Sequence, residues 1–434
     1  MAHHQLYEWE ARPLGEGEGA ISPVEAERLV RAAAGPAARI KDRAFEFRRD
    51  ALVAQNLVGL VVSSGTSCEI LPKVDRHAPG GDAAGLRNQL IRMLAIAHDL
   101  PIADDAATAV STQQHDLLEI LIARFTDLLS EAVRRGIPRA YVPHADDLPA
   151  LRGRLDILRQ FTTLATSPQR LACRYDEFSD DIVLNQAMKA AITRLRQLAR
   201  STANVRALTE LALVYCDVPA VSPAALRWDR IVPDRTNARW QMPLRLARLI
   251  LGNEFQNSTS GNTDGFALLF NMYTLFERYI EKLLAPIAVS AGWQMVAQGG
   301  FRNCLYPEDG APALFRTKPD LHLVRDGHIG LVIDAKWKCL LDRGTDAKMG
   351  VKEADLHQMI TYARLYECPS LVLLYPRHAG LAAAMPVHYQ LAGMGDATQL
   401  TITAIDLASH ATSRADLASI VSAISVSHVS PRSR

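Results

Sequence analysis

One stretch late in the chain restricts the fold more than any other. It runs Lys318-Pro319-Asp320-Leu321-His322-Leu323-Val324, turns between Arg325 and Gly330, and continues Leu331-Val332-Ile333-Asp334-Ala335-Lys336-Trp337-Lys338. Both halves are short, rich in branched apolar residues and bounded by Asp326-Gly327 and Gly330, which predicts two antiparallel strands. Side chains on a strand alternate faces, so Asp334, Lys336 and Lys338 share one face while Ile333, Ala335 and Trp337 share the other. A connecting loop with an odd number of residues sets Asp320 opposite Asp334 and on its face; a two-residue loop sets it opposite Ile333. We expect the odd loop, with a bulge.

Two carboxylates side by side on a half-buried sheet repel, and they persist only if a cation or a proton separates them. A divalent metal meets that need. A site with a couple of carboxylates and several waters suits Mg²⁺, with Mn²⁺ as a substitute, and leaves positions for phosphate oxygens and an attacking water. Lys336, one pleat along, would then stabilise negative charge developing on the water or the phosphate. In the plainer alternative the hairpin is an edge whose polar face meets solvent, and Asp334 and Lys336 form a weak surface ion pair.

Two helices flank this hairpin in the sequence. In Phe266 to Leu284, the residues Phe270, Tyr273, Ile280 and Leu284 form an apolar stripe at helical spacing, and Glu277 falls inside it. A carboxylate facing a core needs a partner, either the hairpin's metal or a nearby Arg or Lys. Downstream, Asp355, Gln358 and Tyr362 share one face of the segment Ala354 to Tyr366. Such a face could touch substrate backbone, orient the lysine, or simply be solvated.

Taken in order, Glu277, Pro319-Asp320, Asp334-x-Lys336 and Gln358-x-x-x-Tyr362 resemble the PD-(D/E)xK nuclease pattern with its helical glutamate and its Q-x-x-x-Y helix. More narrowly, Leu275-Phe276-Glu277-Arg278-Tyr279, Asp334-Ala335-Lys336-Trp337-Lys338 and Asp355-Leu356-His357-Gln358-Met359 resemble McrC, the nuclease subunit of the McrBC modification-dependent restriction system. Glu69-Ile70-Leu71-Pro72-Lys73, Arg152-Gly153-Arg154-Leu155-Asp156, and Tyr175-Asp176-Glu177-Phe178 with Leu184-Asn185 extend the likeness, from about residue 55 to about 375. On this resemblance Asp320 and Asp334 bind the metal, with the backbone carbonyl of Ala335 as a further ligand. Lys336 polarises the attacking water. Glu277 completes the acidic cluster or orients the water, and Gln358, Tyr362 and Lys338 meet the substrate. The resemblance also implies cleavage that leaves a 5′ phosphate in double-stranded DNA bearing a modified cytosine. Recognition of that base would belong to a partner, an McrB-like hexameric AAA+ GTPase. Arg152, Arg154 and Asp156 would contact that GTPase and help trigger its hydrolysis. From the residues alone, an internal salt bridge of Arg154 with Asp156 or with the acidic run Asp176 to Asp181 is the alternative.

Composition agrees with this division of labour. The chain has 434 residues and a formal net charge of +1, so no global positive field draws it to nucleic acid and any DNA contact must come from local patches or a partner. Six cysteines are scattered without a C-x-x-C or a histidine at zinc-ligand spacing, which suits a reducing cytoplasm. The early residues carry Glu8, Glu10, Glu16 and Glu18 and no apolar core of a secretory signal, and no run is apolar enough to cross a bilayer. No P-loop is present, so nucleotide hydrolysis would be another polypeptide's task.

The expected fold is α/β: a C-terminal PD-(D/E)xK restriction-endonuclease-like core with a mixed sheet, preceded by a β-rich N-terminal region and a helical connector. The expected boundaries are 1–150 for the partner-engaging β-rich region with helices, 151–245 for the connector with its RGRLD stretch, and 246–434 for the nuclease domain. Within the first region, Leu57 to Val74 should form a hairpin around Ser63-Ser64-Gly65, ended by Pro72, and residues 253–265 and the tail after about 425 should be loose. The function expected is that of a Mg²⁺-dependent DNA endonuclease subunit of a modified-cytosine restriction complex. The alternatives are a non-catalytic adaptor that regulates an AAA+ ring, and a stand-alone repair nuclease.

Overall fold

The computed structural model describes residues 2–17, 19–34, 43–74, 83–100, 117–167, 169–232, 237–251, 265–309, 311–381, 385–393 and 398–427. Residues 75–82, 252–264 and 428–434 lie outside these, and with them most of the expected loose stretch 253–265 and of the tail. Two compact units emerge, 1–117 with 255–434, and 118–254. The boundaries expected at 150 and 245 are therefore redrawn, because the first and last expected domains share one unit. The reason is strand pairing across the sequence: Gly265–Asn271 lies antiparallel to Leu57–Ser63, while Ala2–Tyr7 runs parallel to Thr66–Leu71. The hairpin expected in Leu57 to Val74 is this sheet's centre, turning at Ser64-Gly65 and ending at Leu71, just before Pro72.

The segment Phe266 to Phe270 corrects the sequence reading. It was expected to open the Glu277 helix, and it is instead the buried strand Gly265–Asn271. An unbroken apolar run serves a buried strand and a buried helix alike, so its periodicity does not separate them. The helix Met272–Ser290 begins only where Asn271 caps it, its Oδ1 accepting from the backbone N–H groups of Tyr273 and Thr274. Tyr279 on this helix meets Ser413 Oγ at 2.8 Å, which fastens a closing helix, His410–Ser427, that the sequence pattern did not reveal.

A six-stranded mixed sheet carries the rest of this unit, in the order Gln294–Ala297, Leu321–Arg325, His328–Ala335, Ser370–Pro376, Gln399–Ile405, Val387–Gln390. Its three central strands from His328 onward are parallel, and the helix Glu353–Tyr366 makes the crossover between the first two. The hairpin Leu321–Ala335 turns through two residues, Asp326 and Gly327, both at positive φ (52° and 77°). That corrects the odd loop expected. Left alone, this turn would set Asp320 opposite Ile333. A bulge supplies the missing residue: Val324 pairs with Ile329 but Leu323 with Leu331, so Gly330 is unpaired and Leu321 meets Ile333. Continued by one residue, that register brings Asp320 opposite Asp334.

The unit 118–254 departs from a purely helical connector. It contains a helix pair, Val183–Leu198 and Thr202–Val214, and also a three-stranded antiparallel sheet in which Leu171–Ser179 lies between Ala140–Leu148 and Arg154–Leu155. Gly153 turns the chain into the short strand at φ +70°, where a Cβ would stand 2.4 Å from the carbonyl oxygen of Arg174.

In the first unit the side chain of Glu69 is wholly buried, and Arg87 meets it with two parallel hydrogen bonds of 2.7 and 2.6 Å. Removing one member of such a pair strands the other charge away from water. Arg87→Met should therefore lower the unfolding free energy by about 3–5 kcal/mol, and adding Glu69→Gln should return part of it. Urea titrations check this; an unchanged midpoint in the single variant would contradict it.

Candidate active site

The hairpin's polar end gathers the expected carboxylates and lysines. Asp320 lies at the mouth of its strand, and its Oδ2 accepts the backbone N–H of Ala335 at 2.9 Å, which ties it across to the Asp334 strand. Asp334 is only 1% exposed. One of its oxygens meets the Lys336 ammonium, and Oδ1 has no hydrogen-bond donor among the described residues. Glu277 approaches from the helix Met272–Ser290, half-buried, and its Oε2 accepts from Gln298 Nε2 at 3.0 Å.

The electrostatics of this group follow from burial and mutual repulsion. Burial pushes the Asp320 carboxyl up, the charges of Asp334 and Glu277 push further, and the bond from Ala335 only partly offsets them, leaving it at about 8. Burial and Asp334 also raise Glu277, against Lys336, Lys318 and Gln298. Asp334 is raised by burial despite the opposing lysines. Burial by itself would lower the Lys336 ammonium, but Asp334, Asp320 and Asp355 outweigh it and hold the group above the usual lysine range. Lys336 is thus a fixed cation. It can stabilise developing negative charge but has no lone pair with which to take a proton.

Helix Glu353–Tyr366 aims that cation. Lys336 Nζ donates to Gln358 Oε1 at 3.1 Å, Gln358 Nε2 donates to the Tyr362 hydroxyl at 2.6 Å, and that hydroxyl donates to the carbonyl of Lys318 at 3.0 Å. Each donor in the chain fixes the next acceptor, so the amide must turn its oxygen to the ammonium. The two residues expected to meet substrate are therefore engaged in orienting Lys336, one of the roles their spacing allowed. Lys338 donates to Asp355 Oδ2 at 2.7 Å, and Asp355 is 8% exposed.

One participant had no signal in the residue pattern, and another showed only part of its role. Gln298, at φ +45°, accepts from Lys318 Nζ at 2.8 Å while donating to Glu277, and its backbone N–H bonds to the Asp320 carbonyl. Asp355 was visible on the right helical face, yet its grip on Lys338 was not. Both act through long-range contacts that no local spacing encodes.

Asp320 and Asp334 are the residues that could hold a divalent cation. Among the described residues no group of three or more His, Cys, Asp or Glu side chains is set as a complete cage. Two carboxylates and water, with an orphaned buried oxygen on Asp334, are a donor set that fits Mg²⁺, which keeps several waters, better than Ca²⁺, which takes six to eight oxygens. No helix of the described residues is long and apolar enough to cross a membrane.

In the unit 118–254 the RGRLD residues take separate partners. Arg152 lies 3.9 Å from the centre of the Tyr175 ring and 3.5 Å from Glu177. Asp156 caps the helix Ile157–Phe161 through the N–H of Arg159 and pairs with Arg174. The guanidinium of Arg159 in turn bonds Asp147. Arg154 is exposed. The same unit exposes apolar side chains, among them Tyr141, Phe178, Leu158 and Phe161.

Comparison with known proteins follows this geometry. A family model for the McrBC 5-methylcytosine restriction system component matches residues 52–376. None of the curated proteins compared matches the chain. Among solved structures, a refined half-complex from the tetradecameric assembly of Thermococcus gammatolerans McrB AAA+ hexamers with bound McrC is similar with a TM-score of 0.68 and 20% identity, over 96% of this chain and 100% of that one. A cryo-EM structure of the Thermococcus gammatolerans McrBC complex has a TM-score of 0.49 and 21% identity, over 66% of this chain and 88% of that one.

The raised carboxyl of Asp320 has a consequence for stability in metal-free solution. At acid pH, below the ordinary value of 3.8, it is protonated folded or unfolded and costs nothing. From there to about 8 the unfolded chain releases a proton that the folded chain keeps, so stability falls as pH rises, and above about 8 the cost is complete. Asp320→Asn should therefore melt higher than the wild type at pH 8 in chelator, with the gap shrinking at pH 5. A wild type that melts higher at pH 8 would contradict this reading of the site.

Proposed function

We propose that this chain, which belongs to the McrBC 5-methylcytosine restriction system component family, is that system's DNA-cleaving subunit: a Mg²⁺-dependent endonuclease with a PD-(D/E)xK core, working with an AAA+ GTPase. The observation that carries this reading is the meeting of Asp320, Asp334 and Lys336 at one end of the sheet. Around them, Gln358 and Tyr362 fasten the ammonium and Glu277 closes the acidic rim.

Asp320 and Asp334 would hold Mg²⁺, which would supply Lewis-acid chemistry toward the phosphate and the attacking water. The chain's own residues do the rest. Lys336 stays protonated and faces the site where negative charge accumulates as the phosphate is attacked. Because its amide partner is fixed in advance, little reorganisation accompanies that charge development. Glu277, held by Gln298, orients the incoming water. Lys338, gripped by Asp355, adds a second positive charge one pleat further out, where a phosphate backbone would pass.

Two features support a division of labour with a partner. The net charge of +1 leaves little non-specific attraction for DNA, so a second protein would deliver the substrate and read the modified cytosine. The exposed Arg154, in a unit that also exposes apolar Tyr141, Phe178, Leu158 and Phe161, offers a surface for such a protein. The similar solved assembly contains McrB AAA+ hexamers with bound McrC, and the corresponding hexameric GTPase is the partner proposed here. Within this surface Arg154 makes the contact that stimulates GTP hydrolysis. Arg152 and Asp156 hold the loop in shape through Tyr175, Glu177 and Arg174.

Reconstitution with the partner GTPase, GTP, Mg²⁺ and cytosine-methylated duplex tests both halves. Asp334→Ala should abolish cleavage, and Lys336→Ala should slow it about 10²- to 10³-fold, with GTP turnover unchanged in both. Arg154→Glu should instead depress the stimulated GTP turnover. Equal nicking by wild type and Asp334→Ala would overturn the nuclease assignment, and stimulation of GTP turnover alone would leave an adaptor.

A further inference from the structure

The strand that carries Asp334 ends at Ala335, yet the two lysines of the site lie just beyond it. Past that point the backbone retains one bond to the sheet, from Lys336 N–H to the Leu374 carbonyl at 2.8 Å. Lys338 N–H bonds only locally, to the Lys336 carbonyl. What fixes the direction of this short segment must therefore be a side chain, and the fully buried Trp337 is the one between the lysines. Alternation sends its indole to the face opposite both ammonium groups, so a backbone shift that reseats the indole moves Lys336 and Lys338 with it.

The indole is held from the far end of the chain. Trp337 Nε1 donates to Glu8 Oε2 at 2.9 Å across 329 positions of sequence. The same oxygen accepts the backbone N–H of Lys73 at 3.1 Å, and Glu8's own N–H bonds the Leu71 carbonyl. The Trp337 ring also tilts against Phe276 with centroids 5.4 Å apart, next to Glu277. Glu8 is 3% exposed, and its Oε1 has no hydrogen-bond partner among the described residues. Burying a carboxylate this deeply is costly, and a leucine would fill the space without that cost. Burial accordingly pushes the Glu8 carboxyl up, against the pull of Lys73 and of its two donors. A buried acid that orients a neighbour of the reactive groups is how supporting residues commonly act at metal sites.

We infer that Glu8 is a positioning residue for cleavage: through the Trp337 indole, the turn that follows the strand Ala2–Tyr7 sets the aim of Lys336 and Lys338. This gives Lys73, which ends the Glu69-Ile70-Leu71-Pro72-Lys73 stretch, a task as the second donor to Glu8. The inference rests on the nuclease reading above.

The test compares wild type, Glu8→Ala, Glu8→Gln, Trp337→Phe and Asp334→Ala in the reconstituted cleavage reaction, with DNA concentration varied and GTP turnover measured in the same tubes. Rates are taken per folded molecule, well below each melting temperature. Glu8→Ala and Trp337→Phe should lower kcat about 10- to 100-fold with KM and GTP turnover unchanged. Glu8→Gln, whose amide oxygen still accepts the indole N–H, should restore most of the rate. The ¹⁵N–¹H indole resonance of Trp337, assigned with Trp337→Phe, should shift in Glu8→Ala and stay near its wild-type position in Glu8→Gln. If Asp334→Ala is inactive but both Glu8→Ala and Trp337→Phe cleave at the wild-type rate, the positioning role is overturned and the nuclease reading stands. If Glu8→Gln is as slow as Glu8→Ala, the hydrogen bond to the indole is not what matters, and the inference again falls. If Asp334→Ala cleaves like the wild type, the nuclease reading fails and this inference fails with it.

Discussion

Repulsion between Asp320 and Asp334 is the constraint from which the rest of the site follows. Burial raises the proton affinity of both carboxyl groups at this sheet end, the Asp334 charge raises that of Asp320 further, and a cation would relieve them. Lys336 supplies part of that relief from within the chain. Its ammonium touches Asp334 but leaves Asp334 Oδ1 without a donor, and it leaves Asp320 with a carboxyl at about 8. A fold that selected for stability alone would place apolar residues here. This one keeps the unbalanced charge, and a divalent ion is what we propose completes it.

Holding such a cluster requires register, and the register depends on one glycine. The Asp326-Gly327 turn alone would face Asp320 toward Ile333, and the bulge at Gly330 corrects it by one residue. The lysine is then fixed from two sides. Gln358 and Tyr362 aim it from the crossover helix, and Glu8 holds the neighbouring indole from the turn after the strand Ala2–Tyr7. Elements far apart in sequence thus converge on three residues within the unit that strand pairing builds from 1–117 and 255–434.

The sequence revealed the parts of this site that are local and hid the parts that are not. Strand alternation placed Asp334, Lys336 and Lys338 on one face, and helical spacing put Asp355, Gln358 and Tyr362 on another. The bulge was anticipated, but the two-residue turn was not, because loop length and bulge trade against each other for the same register. Gly265–Asn271 read as helix because an apolar run without alternation suits both structures. Glu8 and Gln298 carried no signal, since their partners lie 329 and 21 residues away. The RGRLD stretch was legible as a special loop. Its pairing of Asp156 with Arg174, instead of Arg154, depends on which strand the loop lies beside.

The measurement that bears most directly on this account is the anomalous difference map of crystals of the chain soaked in Mn²⁺. The account predicts a peak within coordination distance of both Asp320 and Asp334, with the Lys336 ammonium beside it and Gln358 still bonded to that ammonium. A map with no peak between these two carboxylates, or with Mn²⁺ bound elsewhere while they remain paired to lysine, would contradict it.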